Sequence, residues 1–110
     1  MSGQKPLVSR FVKVGNLIFL AGTSGGPGDV KTQFKNTFER IKTTLEGAGS
    51  SMANVVRVTV YMTDISYRAQ YLNDLWREYF PDNPPARTCV KAVLGPDVYV
   101  EMEAIAKAPD

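Results

Sequence analysis

Histidine is absent from the 110 residues of this chain, and cysteine and tryptophan occur once each. Without histidine there is no Ser-His-Asp or Cys-His mechanism, no imidazole acid–base chemistry and no histidine metal ligation. The single cysteine, Cys89, can form neither an intramolecular disulfide nor a thiolate zinc site, and it fits a reducing compartment. No apolar run approaches the ~20 residues that cross a bilayer. The opening Met1-Ser2-Gly3-Gln4-Lys5-Pro6 lacks the apolar stretch of a signal peptide. The expectation is a soluble, cytoplasmic protein with no membrane partner. Excess charge is also scarce: 13 Lys and Arg against 11 Asp and Glu leave +2. Arg10, Arg40, Arg57 and Arg68 form no contiguous stripe, and the aromatic residues Phe11, Tyr67 and Tyr71 beside them give only a weak RNA signal. Nucleic acid is therefore not expected as a partner.

What is present suffices for one domain over residues 1–110, with residues 1–6 as a tail. Residues 7–14 and 16–22 read as strands around Gly15-Asn16. Leu17-Ile18-Phe19-Leu20-Ala21 has the continuous apolar character of a strand buried on both faces. After a Gly-rich loop, a helix is expected from about Asp29. Its stripe is Val30, Phe34, Phe38 (or Thr37), Ile41, Leu45 and Ala48, and Gly47 and Gly49 stop it. Asn54–Thr63 alternates as a strand, with Val56, Val58, Val60 and Met62 on one side and Val55, Arg57, Thr59 and Tyr61 on the other. Asp64 or Ser66 opens a second helix to about Phe80, which Pro81 to Pro85 terminate. The fold class is α+β: a mixed sheet of about five to six strands with two helices on one face. The other face would be left uncovered, which calls for further copies of the same chain.

The last quarter carries the candidate chemistry. Two alternating segments flank Gly95-Pro96-Asp97, and the spacing predicts a β-hairpin. In that register Arg87, Cys89 and Lys91 share a face with Glu101 and Glu103. Cys89 stands opposite Glu103, Lys91 opposite Glu101, and Arg87 diagonal to Glu103. Arg87 suits a bidentate carboxylate, with an ion pair to Glu101 or Glu103 as the plainer reading. Lys91–Glu101 is an ordinary cross-strand pair. Glu103, lacking a cation directly opposite, could orient or activate water. Cys89 has no histidine to activate it and reads as a small buried hydrophobe.

Val14-Gly15-Asn16-Leu17-Ile18-Phe19-Leu20-Ala21-Gly22-Thr23, Asn54 to Asp64, Pro84-Pro85-Ala86-Arg87-Thr88-Cys89-Val90 and Glu101-Met102-Glu103-Ala104-Ile105-Ala106 together resemble the reactive intermediate deaminase (Rid, YjgF-type) family over about residues 9–106. The resemblance implies a chorismate-mutase-like fold and a homotrimer with ligand clefts between subunits. It also implies hydrolysis of small reactive 2-imino acids to 2-keto acids and ammonia, without metal or organic cofactor. By position, Arg87 matches the arginine that clamps the substrate carboxylate and Glu103 the glutamate near the attacking water. Cys89 matches a position whose backbone faces the ligand, and Gly22 the motif glycine beside the cleft. The chain departs from the family pattern at Val8, where an aromatic commonly touches the ligand, and at Ala21, where a hydroxyl is common. Two other readings are a non-catalytic binding module for 2-keto acids or other small carboxylates and an RNA-acting or chaperone-like surface protein.

Overall fold

A computed structural model describes residues 4–109. The first strand, β1 (Phe11–Val14), turns directly into β2 (Leu17–Leu20). Gly15 makes the turn with φ +58, a left-handed value at the first turn position that a Cβ would penalise. The strand is shorter than the expected 7–14. Leu7 and Val8 are 101% and 73% exposed, so nothing holds them against the sheet. Residues 1–3 of the expected tail lie outside the described residues, and Gln4, Lys5 and Pro6 are exposed.

Helix α1 (Val30–Gly47) starts where Asp29 accepts the Thr32 N–H at 2.8 Å. That bond holds the Asp29 carboxyl below its usual value. Phe34, Phe38, Ile41 and Leu45 are buried along one side, as the periodicity requires. Gly49 takes φ +85 and closes the helix, with Ser50 N–H returning to the Leu45 carbonyl at 2.8 Å. Strand β3 (Val55–Met62) carries a bulge between Val55 and Arg57. The bulge reverses the expected alternation at its start: Val55 is buried and Val56 is exposed. The second helix begins later than Asp64. Asp64 accepts the Ser66 N–H and hydroxyl in a turn, and a π-helical turn (Arg68–Leu72) leads into α2 (Asn73–Tyr79).

Strands β4 (Ala86–Lys91) and β5 (Val100–Lys107) complete a five-stranded mixed sheet in the order β1-β2-β5-β3-β4. Both helices pack on one face, where Phe34, Phe38, Leu72 and Trp76 meet Val58, Val60, Met102 and Ala104 in one buried core. The α+β expectation therefore holds. The closing hairpin does not. β4 is parallel to β3 and β5 is antiparallel to it, so β3 separates the two. The α2 crossover is long enough to return the chain parallel to β3. The Gly95-Pro96-Asp97 turn, with Val98 N–H on the Gly95 carbonyl at 3.1 Å, is only a local bend. It lies in a connection that carries the chain past the end of β3 to its other edge. β2 is also not buried on both sides: Ile18 and Leu20 lie in the core, whereas Phe19 is 40% exposed on the bare face.

Candidate functional site

The pairing decides which side chains can meet. Val58 is in register with Arg87 on one side and Ala104 on the other, and Thr59 is in register with Thr88 and Glu103. Residues in register share a face. Arg87, Cys89 and Lys91 therefore point to the helix side, whereas Glu101 and Glu103 point to the bare side. The single-face constellation expected from the hairpin is corrected on this point. Cys89 is in register with Val60, Lys91 with Met62, and Glu101 with Tyr61. No Lys91–Glu101 pair forms, and Arg87 is not diagonal to Glu103.

On the helix side, Arg87 is half-buried on the outer strand of the sheet. Its Nη1 donates to Asn73 Oδ1 at 3.0 Å, and its Cζ stands 4.9 Å from the centre of the Trp76 ring. Both partners come from α2, where three-residue spacing places them on adjacent turns. The amide and the ring are neutral, so they orient the guanidinium without neutralising it. The ion pairs among the described residues are Lys35–Glu78 and Arg77–Asp74; neither involves Arg87. Cys89 lies two residues along the same side, partly buried against the core, as its small apolar character suggests.

On the bare side, Glu103 is exposed and accepts the Tyr61 hydroxyl on Oε1 at 2.7 Å. That bond, followed by desolvation and the negative charges of Glu103 and Glu101, raises the Tyr61 phenol above its usual 10.0. Gly22 belongs to this side as well. The Glu101 carboxylate occupies the space that a Cβ at Gly22 would take, so a larger residue there would displace that carboxylate. Thr23, next to it, bonds Met102 in both directions at 2.8 and 2.9 Å, which ties the loop to β5. A hollow of about 290 Å³ opens beside Glu103, lined by Phe19, Arg57, Thr59 and Ile105 among others. Arg57 Nη2 donates to Thr88 Oγ1 at 2.6 Å. Among the described residues no group of His, Cys, Asp or Glu is gathered as metal ligands would be, and no helix is long and apolar enough to cross a membrane.

The structure thus separates the four predicted residues into two pairs, Arg87 with Cys89 and Gly22 with Glu103. It also adds residues to each. Asn73 and Trp76 read from the sequence as surface and core; their one-turn spacing below an arginine-bearing strand was the available signal. The alternation predicts Val55, Tyr61 and Ile105 on the uncovered face; Tyr61 and Ile105 are found there, whereas the bulge turns Val55 into the core.

The chain is similar to proteins already described. Residues 3–108 match the Ribonuc_L-PSP family model, described as Endoribonuclease L-PSP. The chain belongs to this Rid/YjgF-type family. A RutC family protein of Pyrococcus abyssi is 45% identical over 107 residues, covering 89% of this chain and 84% of the relative. TdcF of Escherichia coli, provisionally named a reactive intermediate deaminase, is 32% identical over 106 residues, covering 86% and 81%. The crystal structure of a YjgF family member from Neisseria meningitidis superposes with a TM-score of 0.90 at 31% identity, covering 98% of this chain and 92% of that one. The Rid/YjgF-type fold expected from the motifs is therefore the fold observed.

Proposed function

We propose that this chain hydrolyses small reactive 2-imino acids to 2-keto acids and ammonia, in clefts that a second copy completes within a homotrimer. One observation carries the reading. Arg87 is oriented by a neutral amide and a neutral ring and, among the described residues, has no carboxylate partner. A guanidinium held in that way is available to grip the carboxylate of a small acid through two parallel hydrogen bonds.

Glu103 faces the other side of the sheet, so one copy cannot bring it to a substrate held on its own Arg87. A neighbouring copy, laying its bare face against the β4 edge, supplies Gly22, Glu103 and Tyr61 opposite the first copy's Arg87 and Cys89. The exposed Phe19 and the half-buried Ile105 give that face apolar area to bury. The chemistry then needs orientation and one proton carrier. The imine enters protonated; water oxygen forms a bond to its carbon while Glu103 takes a proton from the water, and the C=N π pair moves onto nitrogen to leave a neutral amine on a tetrahedral carbon. The C–N bond then breaks as that nitrogen, protonated by Glu103, leaves as ammonia. The carbonyl of the 2-keto acid forms with loss of the remaining hydroxyl proton. The family's TdcF, by its name, points the same way.

A second reading is a binding module for 2-keto acids or similar small carboxylates. Ala21, which brings no hydroxyl to the cleft loop, and the exposed Val8 favour it. An amino acid oxidase that generates 2-iminopropanoate in the cuvette separates the two. The deaminase reading expects ammonia release well above the buffer rate, lost at least ~100-fold in Arg87→Ala at unchanged oligomeric state. Imine decay at the buffer rate with wild-type protein overturns it in favour of binding alone.

A further inference from the structure

Glu103 stands on an open strand face. An unrestrained glutamate there samples many rotamers, and holding one of them costs side-chain entropy. One neighbour restricts it. Thr59 is the residue directly in register with Glu103, and Tyr61 lies diagonally, two residues along β3. Only a long, stiff side chain spans such a diagonal, and the Tyr61 hydroxyl does so, reaching Oε1 at 2.7 Å. A second carboxylate was closer in register: Glu101 is directly opposite Tyr61. It is not the acceptor. Glu101 instead leans over Gly22, in space that a Cβ would fill. The phenol therefore bonds one of two carboxylates, and the other lies over the space left by a loop glycine. The bond to Glu103 holds the Tyr61 phenol above its usual 10.0, so it stays a donor throughout the neutral range.

We propose that Tyr61 is a positioning residue that occupies Oε1 of Glu103 and leaves Oε2 as the one oxygen free to take the proton of the attacking water. The inference rests on the imine-hydrolase reading above and adds to it the device that aims its proton carrier. No bond is made or broken at Tyr61. The proton passes from water to Oε2 and from there to the leaving nitrogen, while the phenol stays bonded to Oε1. Arg87 alone would fix the substrate; Tyr61 fixes the partner that must meet it, and both must be placed for the gain from orientation to be realised.

The experiment is a double-mutant cycle on the full chain with oxidase-generated imine: wild type, Tyr61→Phe, Glu103→Gln and the double variant, with kcat and KM measured separately. Phenylalanine keeps the ring and removes only the donor. The expected result is a fall of about tenfold in kcat for Tyr61→Phe with KM within about twofold of wild type. Adding Tyr61→Phe to Glu103→Gln should produce little further loss, since the phenol acts only through that carboxylate. A Tyr61→Phe enzyme with wild-type kcat, while Glu103→Gln is slow, overturns the proposal and leaves the hydrolase reading standing. Equal losses in the presence and absence of the Glu103 carboxylate also overturn it, because they assign Tyr61 a merely structural part. Wild-type protein that never exceeds the buffer rate overturns the hydrolase reading, and the positioning role falls with it.

Discussion

Single residues in this chain act through what they touch rather than through unusual reactivity. Arg87 gains its significance from two neutral neighbours, Asn73 and Trp76. Its identity was legible from the sequence, because an arginine just after Pro84-Pro85-Ala86 enters its strand rigidly. The company it keeps was not legible, because that depends on which strand lies beside it. Tyr79 makes the same point away from the site. Its ring stacks on Phe38 at 4.7 Å and its hydroxyl donates to Glu39. Burial first, and then the Glu39 bond and charge, push the phenol well above its ordinary 10.0. The unfolded chain releases this proton near pH 10, whereas the folded chain retains it. The associated stability is therefore fully present below pH 10 and is lost as pH rises through the folded value. Melting temperatures between pH 8 and pH 11.5 should fall more steeply for wild type than for Tyr79→Phe. Parallel curves would remove the linkage.

Among elements, local pattern and long-range pairing were not equally readable. Helix α1 announces itself through the Asp29 cap, the four-and-three stripe and the glycine stop, all of which are local. The alternation of β3 was legible from Val58 onward and failed at Val55 and Val56, where a bulge adds a residue and reverses the faces. The hairpin expectation failed for a different reason. A turn signal such as Gly95-Pro96-Asp97 specifies a bend, but the partner of each flanking strand is chosen by the sheet as a whole. The element that fixes the connection is Gln33, which no periodicity flagged because it falls on the buried stripe as a polar residue. Its Nε2 donates to the carbonyls of Gly28 at 3.0 Å and Asp97 at 2.7 Å, and its Oε1 accepts the Tyr99 N–H at 2.9 Å. One amide thus ties α1, the Gly-rich loop and the β4–β5 connection together. Gln33→Leu leaves three backbone groups without partners, and stability should fall by about 3 kcal/mol. A lower urea midpoint with an unchanged slope is the expected signature. A midpoint equal to that of wild type would assign the connection to other contacts.

At the scale of the whole molecule, the sheet has one face covered by helices and one left open. The open side carries Val12, Val14, Phe19 and Ile105 together with Arg57, Tyr61, Glu101 and Glu103, Arg57 lying directly opposite Ile105. From the sequence it was legible that such a face would exist, because five strands and two helices cannot cover both sides. Which charged residues would occupy it was not, since that depended on the position of β4. If Arg87 and Glu103 of different copies share a cleft, two inactive proteins can repair each other. Arg87→Ala and Glu103→Gln, mixed in equal amounts and allowed to exchange subunits, should regain about a quarter of wild-type activity, from clefts that receive both intact side chains. Mixing that restores nothing although the subunits have exchanged would overturn the shared cleft. The open face also has a consequence for how the protein behaves at different abundances. A reaction centre whose halves belong to separate molecules follows a rate law steeper than first order in protein at high dilution. On the proposed inter-subunit cleft, the chain's own expression level would set an onset below which turnover falls away, with no inhibitor or modification required.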